Sequence, residues 1–98
     1  MNLLTTLSKT PIQRTRPRIT CKDGTSLSVQ ASEYVYCTPR VNNAKLYTHV
    51  EVGFPSIAPT EALARYAEDP DDLLGTVYLY VPVEIVEAFI EEHGGIAK

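Results

Sequence analysis

Long apolar runs, cysteine and histidine are all scarce in this chain, and each shortage removes a class of function. No stretch approaches the roughly 20 apolar residues a membrane-spanning helix needs, so no membrane partner is expected. The opening Met1-Asn2-Leu3-Leu4 gives way to Thr5-Thr6 before a signal-peptide core of about 7 residues can form, which predicts a protein kept inside the cell that makes it. Cys21 and Cys37 are too few and too far apart for a disulfide framework or a paired zinc site, and read as reduced, mostly buried small hydrophobes.

Catalytic signals are equally thin. There is no Gly-x-Ser-x-Gly elbow and no phosphate-cradling glycine loop. His93 falls in the last turn of a predicted helix, where a cation suits the dipole. Cys37 with His49 is a candidate nucleophile–base pair, but nothing in the sequence brings the two together. Asp69, Asp71 and Asp72 lack the spacing and the closing glutamate of a calcium loop and read as a solvated turn. A non-enzymatic protein with no metal and no cofactor is expected.

What is present fits one small globular domain. The chain has 98 residues, 44% hydrophobic and 21% charged, which allows a single core. The formal charge of −3 is unevenly spread: Lys9, Arg14, Arg16, Arg18 and Lys22 precede any acid, whereas nine acids face Arg65 alone between Glu61 and Glu92. A basic arm for an anionic partner, or contact between the basic start of one subunit and the acidic surface of another, is suggested, as are plain solvated faces. The arm Arg14-Thr15-Arg16-Pro17-Arg18 could neutralise phosphates, yet the pI of about 5.3 argues against a nucleic-acid partner.

Residues 1–17 hold Pro11 and Pro17 and no clean period, which predicts an extended arm ahead of a domain over 18–98. Arg18–Lys22 and Thr25–Ala31 alternate on either side of Asp23-Gly24, predicting a hairpin with a type I′ turn. Tyr34–Cys37 reads as a further extended piece. Leu46–Val52 alternates again, with Leu46, Val50 and Val52 inward and Tyr47, His49 and Glu51 outward. A short helix is predicted from near Pro59, with Ala62, Leu63, Tyr66 and Ala67 on one face. Thr76–Val81 reads as a strand with Val77, Leu79 and Val81 in phase. Pro82 then opens a helix over Val83–His93 with an apolar stripe of Val83, Val86, Phe89 and Ile90, and Gly94 stands where a left-handed cap is wanted. The expected class is α+β: a mostly antiparallel sheet of four to five strands, a C-terminal helix packed on one face, and a short second helix.

The tyrosines are the most informative feature. Tyr34, Tyr36, Tyr47, Tyr78 and Tyr80 all take the phase opposite the aliphatic residues, so the helix-free face of the sheet is expected to display them together with Arg40 and His49. Rings offer stacking to a base, and the cationic groups offer hydrogen bonds to phosphate or sugar. A half-exposed sheet face or a subunit interface has the same composition. These seven residues are the predicted ligand-binding set.

Ile19-Thr20-Cys21-Lys22-Asp23-Gly24, Leu27-Ser28-Val29-Gln30-Ala31, Tyr36-Cys37-Thr38-Pro39-Arg40, Val50-Glu51-Val52-Gly53-Phe54-Pro55-Ser56 and Tyr80-Val81-Pro82-Val83-Glu84 together resemble small bacteriophage and prophage proteins, over roughly residues 18 to 95. Such proteins often counter host defence, and one class, the Thoeris anti-defence proteins, consists of oligomeric sponges for cyclic nucleotide signals. The resemblance implies a phage-encoded, homo-oligomeric binder of a cyclic nucleotide-type immune signal in the host cytoplasm, and transfers no site residue. The alternative is an anti-CRISPR or similar inhibitor that binds a host defence protein directly through the acidic second half.

Overall fold

A computed structural model describes residues 17–42, 44 and 46–97. The predicted arm over 1–17 lies almost entirely outside them. The described chain is α+β, with elements β1 (Ile19–Thr20), β2 (Ser26–Gln30), β3 (His49–Gly53), α1 (Glu61–Ala64), β4 (Val77–Pro82) and α2 (Val83–Glu92). The four strands form one antiparallel sheet in chain order. No helix of the described residues is long and apolar enough to cross a membrane.

The hairpin forms where Asp23-Gly24 predicts it, but with a different turn. Gly24 N–H donates to the Cys21 carbonyl at 3.0 Å and Cys21 N–H to the Thr25 carbonyl at 2.7 Å. Gly24 alone of the pair has positive φ, at +94°. This is a three-residue loop with a glycine bulge rather than a type I′ turn. A Cβ at Gly24 would meet nothing within 4 Å, so the demand for glycine is conformational, worth about 1–2 kcal/mol.

β2 alternates as expected, sending Leu27, Val29 and Ala31 into the core. On β3, Val50 and Val52 enter the same core while His49 and Glu51 face the other way and stay half-buried. The α2 stripe of Val83, Val86, Phe89 and Ile90 closes over this face. Among the described residues the apolar core is continuous and includes both Cys21 and Cys37.

Three predicted elements differ. Tyr34–Cys37 is not a strand: after Ala31 the chain loops out and rejoins β3 at Thr38, which bridges His49. The strand expected over Leu46–Val52 starts only at His49, and upstream of it the phase inverts, leaving Leu46 exposed and Tyr47 buried. The first helix lasts four residues. It buries Leu63, leaves Ala62 exposed, and gives way to Tyr66–Glu68, which bonds to the outer edge of β4 (Glu68 N–H to Val77 O 2.9 Å, Leu79 N–H to Tyr66 O 3.1 Å).

β4 carries the most consequential irregularity. Val50 pairs with Val81, but Val52 pairs with Tyr78: two steps along β3 match three along β4, so Leu79 and Tyr80 share the place opposite Glu51. A one-residue slip moves later side chains to the opposite face. Tyr78 therefore points inward before the slip and Val81 inward after it.

The far edge of the sheet is closed by the segment after α2. Cys21 bridges Ile96, Lys22 N–H donates to the Gly95 carbonyl at 2.9 Å, and Ala97 N–H donates to the Thr20 carbonyl at 2.8 Å. Asp23 clasps the same junction. Its Oδ1 accepts Thr25 N–H at 2.9 Å and its Oδ2 lies 2.7 Å from His93 Nδ1. The Thr25 backbone bond first, then the His93 contact, holds the Asp23 carboxyl below its ordinary range. A lowered carboxyl pKa stabilises the fold above the unfolded-state value, and that contribution disappears as pH falls through the lowered value. Wild type is expected to lose more stability than Asp23→Asn in urea titrations run from roughly pH 5 to pH 2. Parallel acid limbs for the two proteins would show that the clasp adds nothing.

Candidate functional site

The loop between Ala31 and Thr38 reaches the helix-free side of β3. Tyr36 N–H donates to Glu51 Oε2 at 3.1 Å, and the Tyr36 carbonyl accepts Tyr80 N–H at 3.2 Å. The Tyr36 peptide is thus held on both sides, by the outward carboxylate of β3 and by the extra residue of β4. Tyr80 has φ +50°, a conformation costing a non-glycine residue about 1–3 kcal/mol. The slip and that strained backbone bring the Tyr80 ring to the surface beside Tyr36.

The two rings stand edge to face, with centroids 5.8 Å apart at 64°, a favoured aromatic geometry. Arg40 sets its guanidinium carbon 5.2 Å from the Tyr36 centroid, within cation–π range. Tyr36 and Tyr80 are 40% and 43% exposed, so the rings are open to a ligand although their backbones are fixed. The cluster offers a planar aromatic surface, one cation and one carboxylate.

The remaining predicted site residues are elsewhere. Tyr78 is 0% exposed, and its hydroxyl donates to the Leu73 carbonyl at 2.7 Å; burial pushes its phenol pKa up. Tyr47 is 4% exposed, and its hydroxyl donates to the Val41 carbonyl at 2.7 Å and accepts Ala44 N–H at 3.2 Å. The expectation of five rings on one open face is corrected at both positions. Tyr78 precedes the β4 slip, Tyr47 precedes the start of β3, and each finds a backbone carbonyl for its hydroxyl, which makes burial of a phenol tolerable. Tyr34, 79% exposed, stands in the loop; its hydrogen bond with the Glu33 carboxylate raises its phenol pKa.

His49 faces the same side of β3 as Glu51, two residues earlier. It lines an open groove of about 320 Å³ with Leu46, Thr48, Val83, Glu84 and Glu87, and its Nδ1 lies 2.9 Å from the Thr48 hydroxyl. The Cys37 thiol donates to the Ser32 carbonyl at 3.1 Å and the Pro39 carbonyl at 3.4 Å. The two halves of the candidate nucleophile–base pair therefore make separate contacts.

The other charged candidates have structural duties. Arg18 donates through Nη2 to the Phe54 carbonyl at 2.7 Å and to the Ser26 hydroxyl at 3.0 Å, pinning β1 to the end of β3. Lys9, Arg14 and Arg16 lie outside the described residues. Asp69 Oδ1 accepts Asp71 N–H at 3.1 Å and Asp72 Oδ1 accepts Gly75 N–H at 3.2 Å, so these carboxylates shape the turn that holds them. No cluster of three or more His, Cys, Asp or Glu suited to a metal ion occurs among the described residues.

Glu51 is the member of the cluster that the sequence placed on the outward face without assigning it to the site. Its signal is positional: it lies two residues beyond His49, in the same strand phase. No protein-family model, no curated protein and no solved structure matches this chain.

Proposed function

We propose that this chain is a non-enzymatic binding protein that sequesters a small cyclic nucleotide-type signal at Tyr36, Tyr80 and Arg40, acting as a phage-encoded anti-defence sponge in the infected cell. The observation that carries the reading is the exposed edge-to-face ring pair with a guanidinium over one ring. Bases stack on aromatic and guanidinium planes, and a guanidinium pairs with phosphate. Leu46, Phe54 and Leu74 are exposed as well, which supports self-association of such a sponge.

Purified protein incubated with a panel of cyclic mono- and dinucleotides, freed of excess ligand and then heated, is expected to release one of them intact. Tyr80→Ala is expected to weaken that binding by about tenfold or more, the loss of one stacking contact. Recovery of no nucleotide from any member of the panel rules the reading out. Light scattering with and without the bound nucleotide gives the stoichiometry.

A second reading, a direct inhibitor of a host defence protein, is favoured by the acidic second half. Asp23–His93 is the one ion pair among the described residues, so of the nine acids from Glu61 to Glu92 the glutamates, unlike the turn-forming Asp69 and Asp72, carry no ion pair there and suit a cationic partner. Pull-down from infected-host lysate that recovers no dominant protein counts against it.

A further inference from the structure

We infer that Glu51 selects the base, so that the cluster takes guanine-type nucleotides in preference to adenine-type ones. This rests on the nucleotide-binding reading above and specifies it. Glu51 lies on the open face of β3, opposite the two β4 residues at the slip. Its Oε2 accepts Tyr36 N–H at 3.1 Å, which fixes the carboxylate at the Tyr36 backbone. Its Oε1 accepts no hydrogen bond from the described residues, and a carboxylate is an acceptor at both oxygens.

In the proposed complex a base stacked against Tyr80 or on the outer plane of the Arg40 guanidinium turns its edge to this acceptor. Guanine presents two adjacent donors there, a ring N–H and an exocyclic amino group, which match a carboxylate. Adenine presents one donor beside a ring-nitrogen lone pair, which a carboxylate repels. Side-chain pairing of this bidentate kind discriminates bases by about tenfold or more. Glu51 is half-buried as a residue while its bond to Tyr36 lies at the surface, so a wrong edge forfeits the second hydrogen bond to its carboxylate. Arg40 stays available to the phosphate, so base choice and anion binding fall to different residues.

Calorimetric titration of the whole protein with cyclic GMP, cyclic AMP, cyclic IMP and the diguanylate and diadenylate cyclic dinucleotides tests the assignment. Guanine ligands are expected to bind at least about tenfold tighter than their adenine counterparts. Cyclic IMP, which keeps the ring N–H and lacks the amino group, is expected between them. In Glu51→Gln the amide oxygen can still accept Tyr36 N–H, while the amino end offers a donor to the adenine ring nitrogen, so the preference is expected to reach parity or reverse. Equal affinity for guanine and adenine ligands, or tighter binding of adenine, overturns the role of Glu51 while nucleotide binding itself stands. A panel with no binding at all overturns the nucleotide reading and this inference together. The ligand series in wild type decides the matter even if Glu51→Gln fails to fold.

Discussion

Tyr78→Ala is expected to cost the fold about 3–5 kcal/mol, the range for emptying a buried aromatic site. Tyr78 is fully buried, ties its hydroxyl to Leu73 and meets Ala67 across the β4 edge. Small domains have only about 5–15 kcal/mol in hand, so urea unfolding should show the midpoint falling by a large fraction of its wild-type value. Tyr80→Ala, two residues further on, is expected to cost about 1 kcal/mol at most, the worth of an exposed ring pair, while weakening nucleotide binding by about tenfold or more. Similar stability losses in the two variants would mean that β4 runs without the slip and that Tyr80 is not a surface residue.

Phe89→Ala should be about as damaging, at roughly 3–5 kcal/mol, and its effect should spread in a particular direction. Phe89 lies under α2 in the core, and its ring packs against His93 with centroids 4.8 Å apart. His93 in turn meets Asp23 and Thr25 at the hairpin. Emptying the ring site removes the support that orients the imidazole. Amide hydrogen exchange should therefore accelerate most at Lys22, Asp23 and Ala97, whose N–H groups bond across that junction. Thermal unfolding gives the overall loss. Unchanged protection at those three amides, measured against the rest of the core, would show that the ring does not anchor the hairpin.

The fold class was legible in the sequence because its strongest signals are local. Asp23-Gly24 between two alternating runs marks a hairpin whatever the exact turn, and the spacing of Val83, Val86, Phe89 and Ile90 specifies a helix with one apolar side. The candidate site was legible only at Tyr36, Arg40 and Tyr80. Thr76 to Val81 reads as a plain alternating strand, and an inserted residue in one partner leaves no mark in that strand's own pattern. Tyrosine blurs the matter further, since its ring is content inside once the hydroxyl has a carbonyl, as at Leu73 and Val41. Tyr34–Cys37 reads as extended in the sequence because Val35 and Cys37 alternate with the tyrosines. Its N–H groups instead bond outside any ladder, Tyr34 to the Ser32 hydroxyl, Tyr36 to Glu51 Oε2 and Cys37 to the Val35 carbonyl, partners that no period-2 pattern encodes. Glu51 escaped because its role comes from a neighbour brought in by that loop.

The covering of part of each rim of the sheet limits how copies of the chain can meet. Residues 95–97 lie along β1, and Tyr66–Glu68 lies along the start of β4, so the main-chain ladder is used up on each side there. Fibril growth propagates by adding strands to vacant rims, and these covered stretches withhold them. A second copy must therefore come side chain first, across the broad surfaces where Tyr36, Tyr80 and Phe54 stand, and mutations that loosen the last few residues are where insoluble protein should first appear.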